Sequence, residues 1–230
     1  MNIQSQQQVS NPSSQDGFTI VESLLAIILV SILLAAIAPV LVLATANRVQ
    51  ARRVELGTNA AKAYVDGVRA GTNDVSDVLN SNRELDEIVA PISTGTLSCQ
   101  ANKDCDVPAT RTNYKLFCVD GEGDGVCTNN SLKDMLVQVT AYQKADTTST
   151  DPNPNKGFQL GIRVYRADAF QDSAPLKRSV SNARNNIRAQ ASTFTGGLGD
   201  RKAPQIEIQT EIVTDSTKYT DYCGRIGGCS

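Results

Sequence analysis

The sequence predicts an α+β chain in which one long N-terminal helix leads into a sheet domain. Three observations carry this expectation. Phe18 to Ala46 is an apolar run interrupted by a single acid, Glu22. Beyond it, apolar residues continue at helical spacing to about Ala70. After Pro91 the period changes to two, in four separate stretches.

The totals bound the rest. With 230 residues, 40% hydrophobic and 20% charged, there is room for one membrane span and one globular domain of ordinary size. A formal net charge of -2 and a pI near 5.2 give no sign of a strongly basic surface, so no nucleic-acid partner is expected. The absence of His removes His-based general bases, Ser/His/Asp and Cys/His nucleophile systems, and His-ligated metals. No pair of carboxylates or nucleophile stands at a recognisable catalytic spacing, and the chain is not expected to be an enzyme.

Residues 1–17 are polar, rich in Gln, Ser and Asn, and read as a leader. A secretory signal has a basic region before its apolar core and a small residue after it. Here the leader has no basic residue, and the small residue, Gly17, precedes the core. A cut after Gly17 would leave the apolar segment as the new N-terminus.

Residues 18–46 read as the transmembrane helix. From Ser23 to Ala46 no charge intervenes. As a helix this stretch is about 36 Å long, enough to cross a hydrocarbon core of about 30 Å. Pro39 predicts a kink or a melted turn within it. Glu22 is the exception that asks for a reason, because a charge at the bilayer centre costs about 2.5 to 3.5 kcal/mol on insertion scales. A freed α-amino group on Phe18 of a neighbouring copy would lie at the same depth and neutralise it. That pairing would specify assembly.

Residues 47–71 read as an amphipathic continuation of the same helix. Val49, Leu56, Ala60, Ala63, Tyr64 and Val68 form its apolar stripe, with Arg52, Arg53, Glu55, Lys62 and Asp66 on other faces. Gly71 marks its end. The remainder, residues 72–230, reads as a disulfide-containing globular domain. Asp74 to Val89 predicts a short second helix closed by Pro91. Tyr114 to Val119, then Met135, Val137 and Val139, then Leu160, Ile162 and Val164, then Ile206, Ile208 and Ile212 predict an antiparallel sheet. Asp146 to Lys156 reads as an interstrand loop, and Ala167 to Pro204 as a mobile polar insertion.

All six cysteines, Cys99, Cys105, Cys118, Cys127, Cys223 and Cys229, follow the apolar segment. An even number there fits disulfides formed in an oxidising compartment, and nearest-neighbour bridging is favoured because they fall into three close pairs. Zinc is the weaker reading, since no C-x-x-C spacing occurs. Asp120, Glu122 and Asp124 alternate with glycines like the first half of an EF-hand calcium loop, but Ser131 stands where the closing acid would be. A tight glycine turn between Cys118 and Cys127 explains the same residues without metal. Tyr219 and Tyr222 read either as an exposed recognition knob or as packing under a bridged terminus.

Gly17-Phe18-Thr19-Ile20-Val21-Glu22-Ser23, followed by an apolar span containing Pro39 and an amphipathic continuation, resembles the N-terminus of type IV prepilins and type II secretion pseudopilins. The resemblance covers Gly17 to about Gly71. It implies a type IV pilin-like fold, with the long helix packed on a C-terminal antiparallel sheet domain. It also implies cleavage by a prepilin peptidase between Gly17 and Phe18, N-methylation of Phe18, and assembly roles for Glu22 and Pro39. The implied partners are other pilin or pseudopilin subunits, an inner-membrane assembly platform and membrane lipid. The segment Ala46 to Gly71 is similar to pseudopilins of the cyanobacterial hormogonium polysaccharide secretion system. The implied role is a structural minor pilin or pseudopilin supporting secretion or motility, with a tip-located adhesin or priming subunit as the alternative.

Topology draws two opposed signals. Arg48, Arg52 and Arg53 follow the span, and the positive-inside rule alone would place the C-terminal domain in the cytoplasm. The cysteines and the resemblance both imply a single-pass inner-membrane protein with an extracytoplasmic domain. The arginines then read as snorkelling to headgroups or lining a subunit contact.

Overall fold

The computed structural model describes residues 19–81, 83, 85–107, 113–144, 152–178 and 200–225. The leader and the expected cleavage residues Gly17 and Phe18 lie outside these, as do residues 179–199 of the expected insertion and Cys229. The chain divides into two compact units, the first ending at Ala44 and the second beginning at Thr45. One element, helix α1 (Ile20–Arg69), contributes to both.

Both ends of α1 are written in local chemistry. Thr19 caps the start, its Oγ1 accepting the Glu22 backbone N–H at 3.2 Å. At the other end Gly71 takes φ 71°, a left-handed conformation that glycine adopts without strain. Its N–H donates to the Val68 carbonyl at 3.1 Å and that of Thr72 to the Gly67 carbonyl at 2.9 Å, the paired bonds of a Schellman stop. The helix runs unbroken through Pro39, so of the two expectations there, a kink or a melted turn, the melted turn is absent. In the first unit its apolar side chains, from Ile20 to Leu43, are exposed.

In the second unit the sheet is built from β1 (Leu79–Asn80), β3 (Lys115–Val119), β5 (Met135–Tyr142), β6 (Phe158–Arg166) and β7 (Ile206–Ile212). The pairs β3–β5, β5–β6 and β6–β7 are antiparallel, as the period-two stretches predict. Short β1 runs parallel to β5, which corrects the purely antiparallel expectation. A separate ribbon joins β2 (Cys99–Gln100) and β4 (Val126–Cys127). A terminal helix, α2, spans Tyr219–Arg225.

Alternation places the two faces of this sheet in two cores. Val137 and Val139 of β5 and Leu160, Ile162 and Val164 of β6 pack with Ala60, Ala61, Tyr64, Val65 and Val68 of α1. Tyr64 meets Phe117 edge-on at 4.9 Å between ring centroids. Leu136 and Tyr165 face the other way and pack with Ile88, Phe170 and the four cysteines of the 99–127 region. The buried stripe of α1 is Gln50, Gly57, Ala60, Ala61, Tyr64, Val65 and Val68. Val49 and Ala63, expected on it, are exposed instead. Gly57 sets the approach distance, since a Cβ there would stand 2.9 Å from Gln205 Cβ.

The expected helix over 74–89 is replaced by two 3-10 turns, Ser76–Val78 and Leu85–Glu87, flanking β1. The reason is tertiary: Val75 and Val78 enter the core under α1, while Ile88 enters the opposite one. A single short helix cannot serve both sheet faces. The described ends of the expected insertion are likewise not loose. Ala167–Phe170 is a fully buried 3-10 turn, Leu176 and Ala203 are buried, and Lys177 N–H donates to the Lys202 carbonyl at 2.9 Å.

Candidate functional site

The residues singled out for processing and assembly converge on the start of α1. Thr19 and Glu22 stand three apart, the T-x-x-E spacing of a capping box, so Glu22 falls in the first helical turn where a carboxylate meets the positive end of the helix dipole. After Glu22 the helix carries only two hydroxyl side chains before Thr45, and both are satisfied internally. Ser23 Oγ donates to the Ile20 carbonyl at 2.8 Å, and Ser31 Oγ to the Ile27 carbonyl at 2.7 Å. This matters in lipid, where an unsatisfied polar group costs several kcal/mol. The helix is long and apolar enough to cross a membrane, and its most apolar window is wholly unburied by protein. Residues 12–38 match the family model described as a prokaryotic N-terminal methylation motif.

This motif supports a type IV prepilin-like family for the N-terminus. No curated protein and no solved structure matches the chain. The methylation motif implies processing by a prepilin peptidase and assembly with other pilin subunits. An exposed apolar helix at the N-terminus fits a membrane-anchored pilin.

The other sequence-predicted residues lie in the second unit. Cys99–Cys105 and Cys118–Cys127 are disulfides, as nearest-neighbour pairing expects, with Cα separations of 4.3 Å and 5.9 Å. Cys223 is also disulfide-bonded, and the expected pairing with Cys229 lies outside the described residues. The acids of the 120–125 loop turn toward the chain's own amides rather than toward one another. Asp120 accepts the N–H groups of Glu122 at 2.9 Å, Gly123 at 2.6 Å and Gly125 at 2.7 Å. Glu122 accepts the Ser131 hydroxyl at 2.9 Å, and Asp124 the Val126 N–H at 3.2 Å. Among the described residues no group of three or more His, Cys, Asp or Glu could hold a metal ion. Amides of Gly125 and Gly123 hold the Asp120 carboxyl below the usual carboxylate range. Burial pushes nearby Asp134 the other way, even though it accepts N–H bonds from Gly121 and Thr128.

Sequence reading missed three features. Thr19 was legible in the T-x-x-E spacing. Buried Lys115 was not: its ammonium donates to the Asp74 carbonyl and pairs with Asp104 at 3.1 Å and Asp77 at 3.3 Å. Arg163, also buried, donates to Glu207 at 2.8 Å and to the Ile88 carbonyl at 2.7 Å, tying the 85–90 segment to the sheet. Both cations look like ordinary exposed strand residues in the sequence. Of the terminal aromatics, Tyr219 is 74% exposed, and the end of the bridged terminus under which it was expected to pack lies outside the described residues.

Proposed function

We propose that this chain is a structural minor pilin or pseudopilin, stored in the inner membrane, cut between Gly17 and Phe18, methylated on Phe18 and polymerised into a pilus-like or pseudopilus filament. The observation that carries the reading is the methylation motif at residues 12–38, seated on a helix whose apolar half is exposed. Apolar area left in water costs about 25 cal/mol per Å², so such a helix needs lipid first and sister helices afterwards. In the filament, Glu22 of one copy would neutralise the new α-amino group of the next. The contact is head-to-tail and open-ended, which generates a fibre rather than a closed ring. Pro39 would allow local unwinding as the helix leaves lipid. The globular unit with its disulfides would then lie outside the cytoplasm, and the filament would support secretion, with polysaccharide as the cargo the sequence resemblance suggests, or motility.

A second reading, a tip subunit that binds a ligand or primes the filament, is favoured by one observation: the exposure of Tyr219 and Tyr222 beside the bridged Cys223. Loss of the gene separates them, since lost secretion with intact adhesion supports the first and the reverse supports the second. The founding claim is tested by mass spectrometry of the N-terminus of the protein taken from cells. A methylated Phe18 is expected; a chain that retains Met1 would overturn the proposal.

A further inference from the structure

Beyond its apolar run, α1 carries Arg48, Arg52 and Arg53, and the structure separates them into two kinds. Arg53 is half-buried and interacts electrostatically with Arg166 and Asp168, so it belongs to the helix–sheet seam. Arg48 and Arg52 are exposed. Four residues apart, they lie one above the other on a single helix face, about 5 to 6 Å apart at Cβ. Two like charges on adjacent turns repel, and an anion between them removes that cost. Among the described residues the acid tied to this pair is Glu55, whose Oε2 accepts from Arg52 Nη1 at 2.7 Å and leaves the other guanidinium donors for a second acceptor.

Their position in the chain fixes which anion they meet. The uncharged run ends at Ala46, and Arg48 follows about 3 Å further along the helix axis. If the run crosses the hydrocarbon core, as the proposed function holds, both guanidinium groups lie at the depth of the phospholipid phosphates. This holds for either leaflet, because both present phosphodiesters. Arginine suits the role: its planar fork binds phosphate oxygens two at a time, and its stem packs along acyl chains.

We infer that Arg48 and Arg52 form a phospholipid phosphate-binding site that holds the stored subunit in the membrane and must be vacated when the subunit enters a filament. The inference rests on the membrane-span reading. Each basic residue near an anionic lipid surface is worth about fivefold in binding, so the pair supplies about 25-fold.

The test uses the full chain in neutral maltoside micelles doped with dioleoyl phosphatidylglycerol, with apparent lipid affinity followed by native mass spectrometry. R48Q/R52Q is expected to lower that affinity about 25-fold, R48K/R52K much less, and E55Q to raise it. Added salt should weaken the wild-type affinity, and equimolar inorganic phosphate should leave it unchanged, because the site takes a lipid-borne phosphate. Equal affinity for dioleoylglycerol, which has no phosphate, would overturn the site. So would unchanged lipid affinity in R48Q/R52Q, including the case in which that variant instead loses crosslinking between copies. Carbonate extraction of membranes checks the underlying reading separately: a wild-type chain released by carbonate removes the span itself, whereas a retained chain without lipid dependence removes only the arginine site.

Discussion

The backbone N–H of Glu22 donates to Thr19 Oγ1 at 3.2 Å, so the acid expected to direct assembly is held in the first turn by the residue that begins the helix. An N-cap of this kind is worth about 1 kcal/mol. Thr19→Val should fray the first turn and reduce incorporation into filaments, with Thr19→Ser restoring it. Glu22→Ala should leave membrane insertion intact and abolish incorporation. Fractionation followed by quantification of the subunit in sheared filaments reads both, and normal incorporation of Glu22→Ala would defeat the charge-pair account.

Lys115 makes a second prediction. Its buried ammonium joins the turn after α1, through Asp74 and Asp77, to the disulfide loop, through Asp104. Lys115→Met keeps the apolar volume but leaves the Asp74 carbonyl without this donor and the two half-exposed acids without their cation. A hydrogen bond from a charged donor is worth about 1.5 to 3 kcal/mol. Because the acids are half-exposed, most of the loss should come from the carbonyl, so raising salt should recover little of it. Thermal unfolding of the full chain in detergent measures the loss, and a change below about 0.5 kcal/mol would contradict it.

Gly57 carries a third. A Cβ at this position meets Gln205 Cβ at 2.9 Å and Val164 Cγ1 at 3.8 Å, so a bulky residue must push α1 off the sheet. Gly57→Leu should destabilise the second unit by about 1 to 3 kcal/mol, despite leucine's better helix propensity of up to about 1 kcal/mol. Gly71→Ala should also destabilise, for a different reason: the space is open, but φ 71° is costly for any residue with a Cβ. Equal stability of Gly57→Leu and the parent in denaturant unfolding would show that the helix can move freely.

Asp120 and Asp134 should titrate in opposite senses from the ordinary carboxylate value. Asp120 is held down by the Gly125 and Gly123 amides, so it favours folding above the usual carboxylate pKa of about 3.9 and loses that contribution as pH falls through its depressed value. Asp134 is pushed up by burial, so the folded chain binds its proton more tightly, and its contribution declines as pH rises through the raised value. Carboxyl carbon chemical shifts followed from pH 2 to 7 should show Asp134 protonating at higher pH than Asp120. The reverse order would mean that solvent reaches Asp134 or that the glycine amides do not face Asp120.

What the sequence determined by itself was set by period and by short-range chemistry. The bounds of α1 follow from a threonine cap, an uninterrupted apolar run and a glycine stop within a few residues of its last buried side chain, all of them neighbours in the chain. Strands β5, β6 and β7 were legible for the same reason, because alternation is a property of one strand alone. Tertiary structure decided what depends on distant partners. The segment over 74–89 has helical spacing, yet it breaks into turns because Val78 and Ile88 are claimed by opposite sheet faces. The stripe of α1 includes Gly57, because close approach to Gln205 selects the smallest side chain there and not the most apolar one. Lys115 and Arg163 are buried only because carbonyls and carboxylates from elsewhere in the chain meet them there. A charged side chain enters a core where its partners have already been assembled, and that condition is three-dimensional.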